Sequence, residues 1–297
     1  MKTLFPGFYP YTTNQVKAFI DESTIVFGAS VLLDLYRISN WSIFLNLIKT
    51  KIVPDRLWLP YDTAWLYHNR MPEVIDGQIE NVKTAAKYLN LFKESIESPF
   101  SHPFISNDLM TRFSTFIEDA SKALEDDKNY LVKNLKLSYL KTNIEELFHG
   151  RIGAEYPDTQ LQQLYDESKH RHDNQIAPCL TFSSNPDMRI RHNRYIIWKQ
   201  IQKQAKDTDK PILLVLNRIT PNWFFIYNED VVFPRQELIN EFCSCTGQSI
   251  HIITAYSLVD YLTKDGRTPE QESLLKQLHN KPTPGSTEKI ISVNNSI

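Results

Sequence analysis

Residues 24–37 read TIVFGASVLLDLYR. Thr24–Phe27 form a short apolar run, and from Val31 onward apolar side chains recur at helical spacing, so the stretch predicts a buried strand running straight into a helix. In an open α/β sheet, ligands and catalytic groups gather where strands end. This strand ends on Gly28, Ala29 and Ser30, none of which carries a charge. Ser30 reads as an N-cap for the helix at Val31. It does not read as a nucleophile, because no histidine is placed to activate it.

Working outward, 41–50 (WSIFLNLIKT) predicts a second helix, and 55–70 (DRLWLPYDTAWLYHNR) turns at Pro60 into a third. Residues 75–96 and 109–148 are long helical stretches separated by the proline-containing break 98–108. The polar stretch 153–195 holds a short helix, LQQLYDESKHRH, and a loop, APCLTFSSNPDMRIRHNR. Then come a helix at 195–206, a continuous apolar strand at 211–217, a helix at 235–247 closed by Gly247, a strand at 249–255 and a helix at 256–264. Helix–strand alternation at both ends with helices between predicts a parallel sheet covered by helices and split by an α-helical insertion. The expected division is a core in two parts, 1–71 and 176–264, around an insertion over 72–175. A C-terminal helix or tail, partly flexible, follows over 265–297.

The 297 residues, 41% hydrophobic and 12% aromatic, can fill a sizeable core. Thirty-three Lys+Arg against 35 Asp+Glu leave a net charge of −2, so no global basic excess argues for nucleic acid or an acidic membrane. No apolar run approaches the roughly 20 residues that span a bilayer. The opening MKTLFPGFYPYTTN breaks at Pro6, Gly7 and Pro10, so the expectation is a cytoplasmic protein with no membrane association. Three cysteines, Cys179, Cys243 and Cys245, have no CxxC spacing and read as idle thiols rather than a zinc site.

Four segments in order, IVFGASVLLDLYR (25–37), LWLPYDTAWLYHNR (57–70), YIIWKQI (195–201) with KPILLVLNRITPNWF (210–224), and ELINEFCSCTG (237–247), together resemble the large bacterial PIN-like proteins of the PIN-like nuclease superfamily. The resemblance covers about residues 20–264 and implies an α/β fold, a PIN-like parallel sheet sandwiched by helices with a large helical insertion. It also implies phosphodiester hydrolysis with Mg²⁺ or Mn²⁺ held by Asp and Glu at strand ends. Against that pattern Gly28 stands where the family has its first aspartate, with Ser30 at the family asparagine. Trp65 or Leu66 stands at the glutamate, with Asn69 and Arg70 kept. Asn193 and Arg194 replace a Gly-Asp pair, and Leu216, Asn217 and Arg218 replace a Thr-Asp-Asp type run. Two of these replacements lie near arginines. A guanidinium in such a pocket repels a cation by about 4 kcal/mol per unit charge at ~4 Å, doubled for a divalent ion.

The expectation is therefore a catalytically degenerate protein, a pseudo-nuclease without a cofactor. It would act as a binding or scaffolding subunit with a protein partner or as a homo-oligomer. The resemblance implies a bacterial toxin–antitoxin or anti-phage setting. RNA or DNA held without cleavage remains open, with Arg70, Arg189, Arg191, His192, Arg194 and Arg218 as the anion-binding candidates. The alternative is a Mg- or Mn-dependent endoribonuclease with relocated ligands, Asp34 and Asp62, or one completed by a partner. Asp62, following Pro60, also reads as a helix cap. The arginines of MRIRHNR (188–194) also read as partners for acids of the insertion. His170 and His172 read as solvated, and Trp223 with Phe224 as core aromatics rather than base-stacking ones.

Overall fold

The computed structural model describes residues 1, 3–98, 105–136, 138–181, 183–227 and 230–279. Its centre is a four-stranded parallel sheet. β1 (Thr24–Phe27) pairs with β2 (Leu57–Trp58) on one side and with β3 (Ile212–Leu216) on the other, and β3 pairs in turn with β6 (Ile250–Thr254). All residues of β1 and β3 are buried, as expected of strands covered on both faces.

The connections are helical. α2 (Ala29–Asp34) and α3 (Trp41–Lys51) lie between β1 and β2, α9 (Gln236–Thr246) precedes β6, and α10 (Ala255–Leu262) follows it. The chain leaves β1 toward β2, and β3 comes back on the opposite side of β1. The carboxyl ends of β1 and β3 thus flank the topological switch point, where open α/β sheets form their crevice. Gly247 closes α9 at φ +73°, a left-handed conformation that glycine adopts without strain.

The chain divides into two compact units, residues 1–69 with 143–297, and Arg70–Thr142. The second unit is narrower than the expected insertion over 72–175. Residues 143–175 belong with the sheet for two reasons. Leu59 and Ile152 form a parallel bridge, with the Leu59 N–H donating to the Arg151 carbonyl at 2.9 Å. Leu161 and Leu164 of α7 (Asp158–Asp173) enter the same core cluster as Trp198 of α8 (Met188–Thr208). The second unit contains most of α4 (Tyr61–Glu97), which runs unbroken past Pro72, and α5 (Asn107–Lys136), with Ile75, Ile79 and Ile117 buried. The break expected at 98–108 falls largely on residues outside the described ones, and α6 (Tyr139–Leu147) begins anew where one long helix over 109–148 was expected.

Two further differences matter, and the C-terminal stretch takes a definite form. MRIRHNR is helical, because Asp187 caps α8 by accepting from the Arg189 and Ile190 N–H groups at 2.8 and 3.2 Å. An antiparallel ribbon, β4 (Phe224–Tyr227) and β5 (Asp230–Pro234), stands apart from the main sheet. Within the expected tail, α11 (Pro269–Leu278) is opened by a Thr268–Gln271 capping box and buries Leu274, Leu275 and Leu278. Residues 280–297 lie outside the described residues. No helix among the described residues is long and apolar enough to cross a membrane.

Candidate functional site at the carboxyl ends of the strands

At the end of β1, the Gly28 N–H donates to the Val215 carbonyl at 2.8 Å, which draws the backbone tight against β3. A Cβ built on Gly28 would meet Leu216 Cδ2 at 2.6 Å. A side chain at this position would have to displace that terminal methyl of buried Leu216, the next neighbour being the Val215 carbonyl oxygen at 3.6 Å.

At its last residue, α2 brings Asp34 to the end of β3. Buried Asn217 donates from Nδ2 to Asp34 Oδ2 at 2.7 Å, and its backbone N–H donates to Ser30 Oγ at 3.3 Å. Ser30 is thus a link between the two strand ends, and it does not accept a bond that would cap its own helix. The Asp34 carboxylate also pairs with Arg37 on the next turn and with Arg218 Nη2 at 3.7 Å.

The end of β2 carries the more elaborate assembly. Asp62 is fully buried and accepts from Arg189 Nε at 2.6 Å and Nη2 at 3.3 Å. Gln200 binds Asp62 twice: its Nε2 donates to Oδ2 at 2.8 Å, and its Oε1 accepts the Asp62 N–H at 3.1 Å. Arg189 Nη1 reaches Glu155 at 2.7 Å, and its guanidinium lies 4.9 Å from the Trp65 ring and 5.2 Å from the Tyr61 ring. Burial alone pulls the Arg189 pKa down, but the hydrogen bonds to Asp62 and Glu155 outweigh it and hold it above the ordinary arginine value. The same contact with Arg189 pulls the Glu155 carboxyl below its usual range.

Asp62 is therefore not a helix cap: its carboxylate is engaged across the fold by α8. Of the other cations considered, Arg191 Nε donates to the Asn185 carbonyl at 3.0 Å, and Arg194 to the Thr181 carbonyl. Burial lowers the Arg194 pKa. His192 is buried beside Tyr165, their rings 5.2 Å apart, and burial, aided by Arg191, pushes its pKa down to about 4. Helical geometry thus scatters MRIRHNR among different partners instead of assembling one anion clamp. Arg70, which opens the second unit, pairs with Glu73 one turn on. Arg218 is the most exposed of the arginines at the strand ends. Leu66 is half-buried, and of the two candidates for the glutamate position it is Trp65 that touches a cation.

His172 is not solvated: its Nδ1 lies 3.0 Å from the Cys179 carbonyl oxygen. Trp223 and Phe224 are both in the core cluster. A second polar assembly had no counterpart in the sequence reading. Glu241 accepts from Trp198 Nε1 at 2.8 Å, Gln202 Nε2 at 3.1 Å and Arg171 Nη2 at 2.5 Å, fastening α9 to α7 and α8. The only signal for it was a charged side chain on the inward stripe of the 235–247 helix.

Mg²⁺ or Mn²⁺ needs several oxygen ligands freed of competing cations. Asp34 carries Arg37, Asn217 and Arg218, and Asp62 carries Arg189 and Gln200. No group of three or more His, Cys, Asp or Glu suited to a metal occurs among the described residues. These donors do not fit a divalent metal without the displacement of a guanidinium.

A parallel sheet of order β2-β1-β3-β6 with its crevice between β1 and β3 defines an open α/β fold. A family model described as PIN like domain matches residues 24–238, most of the chain, and the protein belongs to that family. Comparison with curated proteins and with solved structures finds no match.

Proposed function

We propose that this PIN-like protein is a pseudo-nuclease, a binding or scaffolding subunit whose strand-end site no longer supports metal-dependent hydrolysis. The observation that carries the reading is Arg189. Its fixed positive charge bridges Asp62 and Glu155 between two aromatic rings. A divalent ion brought to Asp62 would meet that charge. At ~4 Å and an effective dielectric near 20 that repulsion is about 8 kcal/mol, which offsets the attraction of one of the two carboxylates at the same distance. At the end of β1, Gly28 offers no carboxylate, and a terminal methyl of Leu216 lies against it. The fold survives such losses because it rests on the apolar sheet and not on the site.

The setting we favour is a bacterial toxin–antitoxin or anti-phage system in which another chain supplies the activity. A second reading, a Mg- or Mn-dependent endoribonuclease with a relocated ligand or completed by a partner, draws on Asp34. That carboxylate lies at the switch point and keeps 13% of its side chain exposed. Incubation of the purified chain with labelled single-stranded RNA and Mn²⁺ separates the two. The silent-site reading expects no cleavage above buffer. Multiple-turnover cleavage that Asp34→Ala abolishes would sink it.

A further inference from the structure

We propose that the chain forms a twofold dimer through an aromatic face built from the β4–β5 ribbon and the amino-terminal turn. A ribbon lying on a core ordinarily turns apolar side chains inward and polar ones outward. Among its described side chains this one is apolar on both faces. Phe224 and Ile226 pack on the core cluster, while Phe225 and Tyr227 face out with 42% and 63% of their surface exposed. Cross-strand Phe233, 36% exposed, stacks on Phe225 at 5.3 Å between ring centroids with 8° between planes.

The turn Pro6–Phe8 extends this face. The Gly7 N–H donates to Asn240 Oδ1 at 2.8 Å, and Gly7 abuts Gln236, three residues beyond Phe233. Leu4, Phe5 and Phe8 are exposed around it, with the two phenyl rings edge to face at 6.3 Å.

Taking an aromatic side chain at ~150–250 Å², these six residues expose on the order of 700 Å². That exceeds the ~300–600 Å² of the largest apolar patch on an ordinary monomer, and approaches the ~800 Å² each partner contributes to a standard interface. The six carry no formal charge. Two copies related by a twofold axis bring these six side chains like against like, and stacked rings meet stacked rings. Single-stranded nucleic acid would want cations interleaved with the rings. Arg235, next to the ribbon, is instead engaged by Glu237 at 2.7 Å and by the Pro221 carbonyl.

Sedimentation equilibrium of the full chain across micromolar concentrations tests this. The expected result is a monomer–dimer equilibrium whose dissociation constant rises at least about tenfold in Tyr227→Ser and in Phe8→Ser. Both side chains are largely exposed, so the circular dichroism and thermal midpoint of each variant should match the parent. A monomer at every concentration, or a dimer unchanged in both variants, overturns the proposal. So does a monomer that binds single-stranded RNA and loses it on Tyr227→Ser. None of these outcomes bears on whether the strand-end site is silent, which the cleavage assay reads separately.

Discussion

Arg189 and Asp62, 127 residues apart in sequence, form a two-point ion pair with Nε–Oδ1 at 2.6 Å and Nη2–Oδ2 at 3.3 Å around a fully buried carboxylate. The pair joins the start of α4 to the start of α8 at the edge where the family's chemistry is expected. A buried ion pair is weak evidence for net stability, because desolvation offsets most of its attraction. Losing one partner, however, strands the other.

Arg189→Met is therefore expected to destabilise the protein by about 3–5 kcal/mol, because Asp62 is left as an uncompensated buried charge. Asp62→Leu combined with Arg189→Met should recover most of that loss. Urea unfolding of the single and double variants checks it. A double variant no better than Arg189→Met alone would show that the pair is not the reason for the loss.

Gly28 and Leu216 should couple. Gly28→Asp forces Leu216 Cδ2 away from a 2.6 Å approach and is expected to cost about 1–3 kcal/mol. In a Leu216→Ala background the same substitution should cost at least ~0.5 kcal/mol less, since the obstructing atom is gone. Strict additivity in a double-mutant cycle would contradict the contact.

Acid should weaken the fold through two histidines. Burial pushes His192 down to about 4, with Arg191 adding to the shift and Asp166 opposing it, and burial does the same to His251. Each stays neutral in the folded chain while the unfolded chain takes up a proton near its ordinary value of about 6.5. Their contribution is therefore complete above about pH 6.5. It falls by up to ~1.4 kcal/mol per pH unit per histidine as the pH drops toward 4. Urea midpoints at neutral and mildly acidic pH should converge in His192→Gln relative to the parent. Equal pH slopes in the two proteins would count against it.

Helix α11 belongs to the fold. Leu274 of α11 is fully buried, so Leu274→Ala is expected to cost about 2–5 kcal/mol. A thermal midpoint unchanged by that substitution would detach α11 from the core.

The sheet was legible because TIVF (24–27), PILLVLN (211–217) and SIHIITA (249–255) are apolar runs whose length and helical flanks admit little else. Gly28 and Asn217 each follow directly on an apolar strand run, and the end of such a run is a local feature of the sequence. What the sequence did not disclose are partnerships across long separations. Gln200 reaches Asp62 from 138 residues away, and Glu241 gathers Arg171, Trp198 and Gln202. Such bonds leave no periodicity. The helical state of MRIRHNR was obscured because Asn185, Pro186 and Asp187 read as a loop, although Asp187 is the cap that starts α8. The β4–β5 ribbon was missed because its apolar residues on both faces hide the alternation that marks a strand.

A silent site requires that the strand-end carboxylates, held by Arg189 and by Arg37 and Arg218, take up no divalent ion. Calorimetric titration of Mn²⁺ into the purified chain tests it most directly. No saturable heat is expected in the parent or in Asp34→Ala. Saturable binding in the parent that Asp34→Ala or Asp62→Asn abolishes would contradict it.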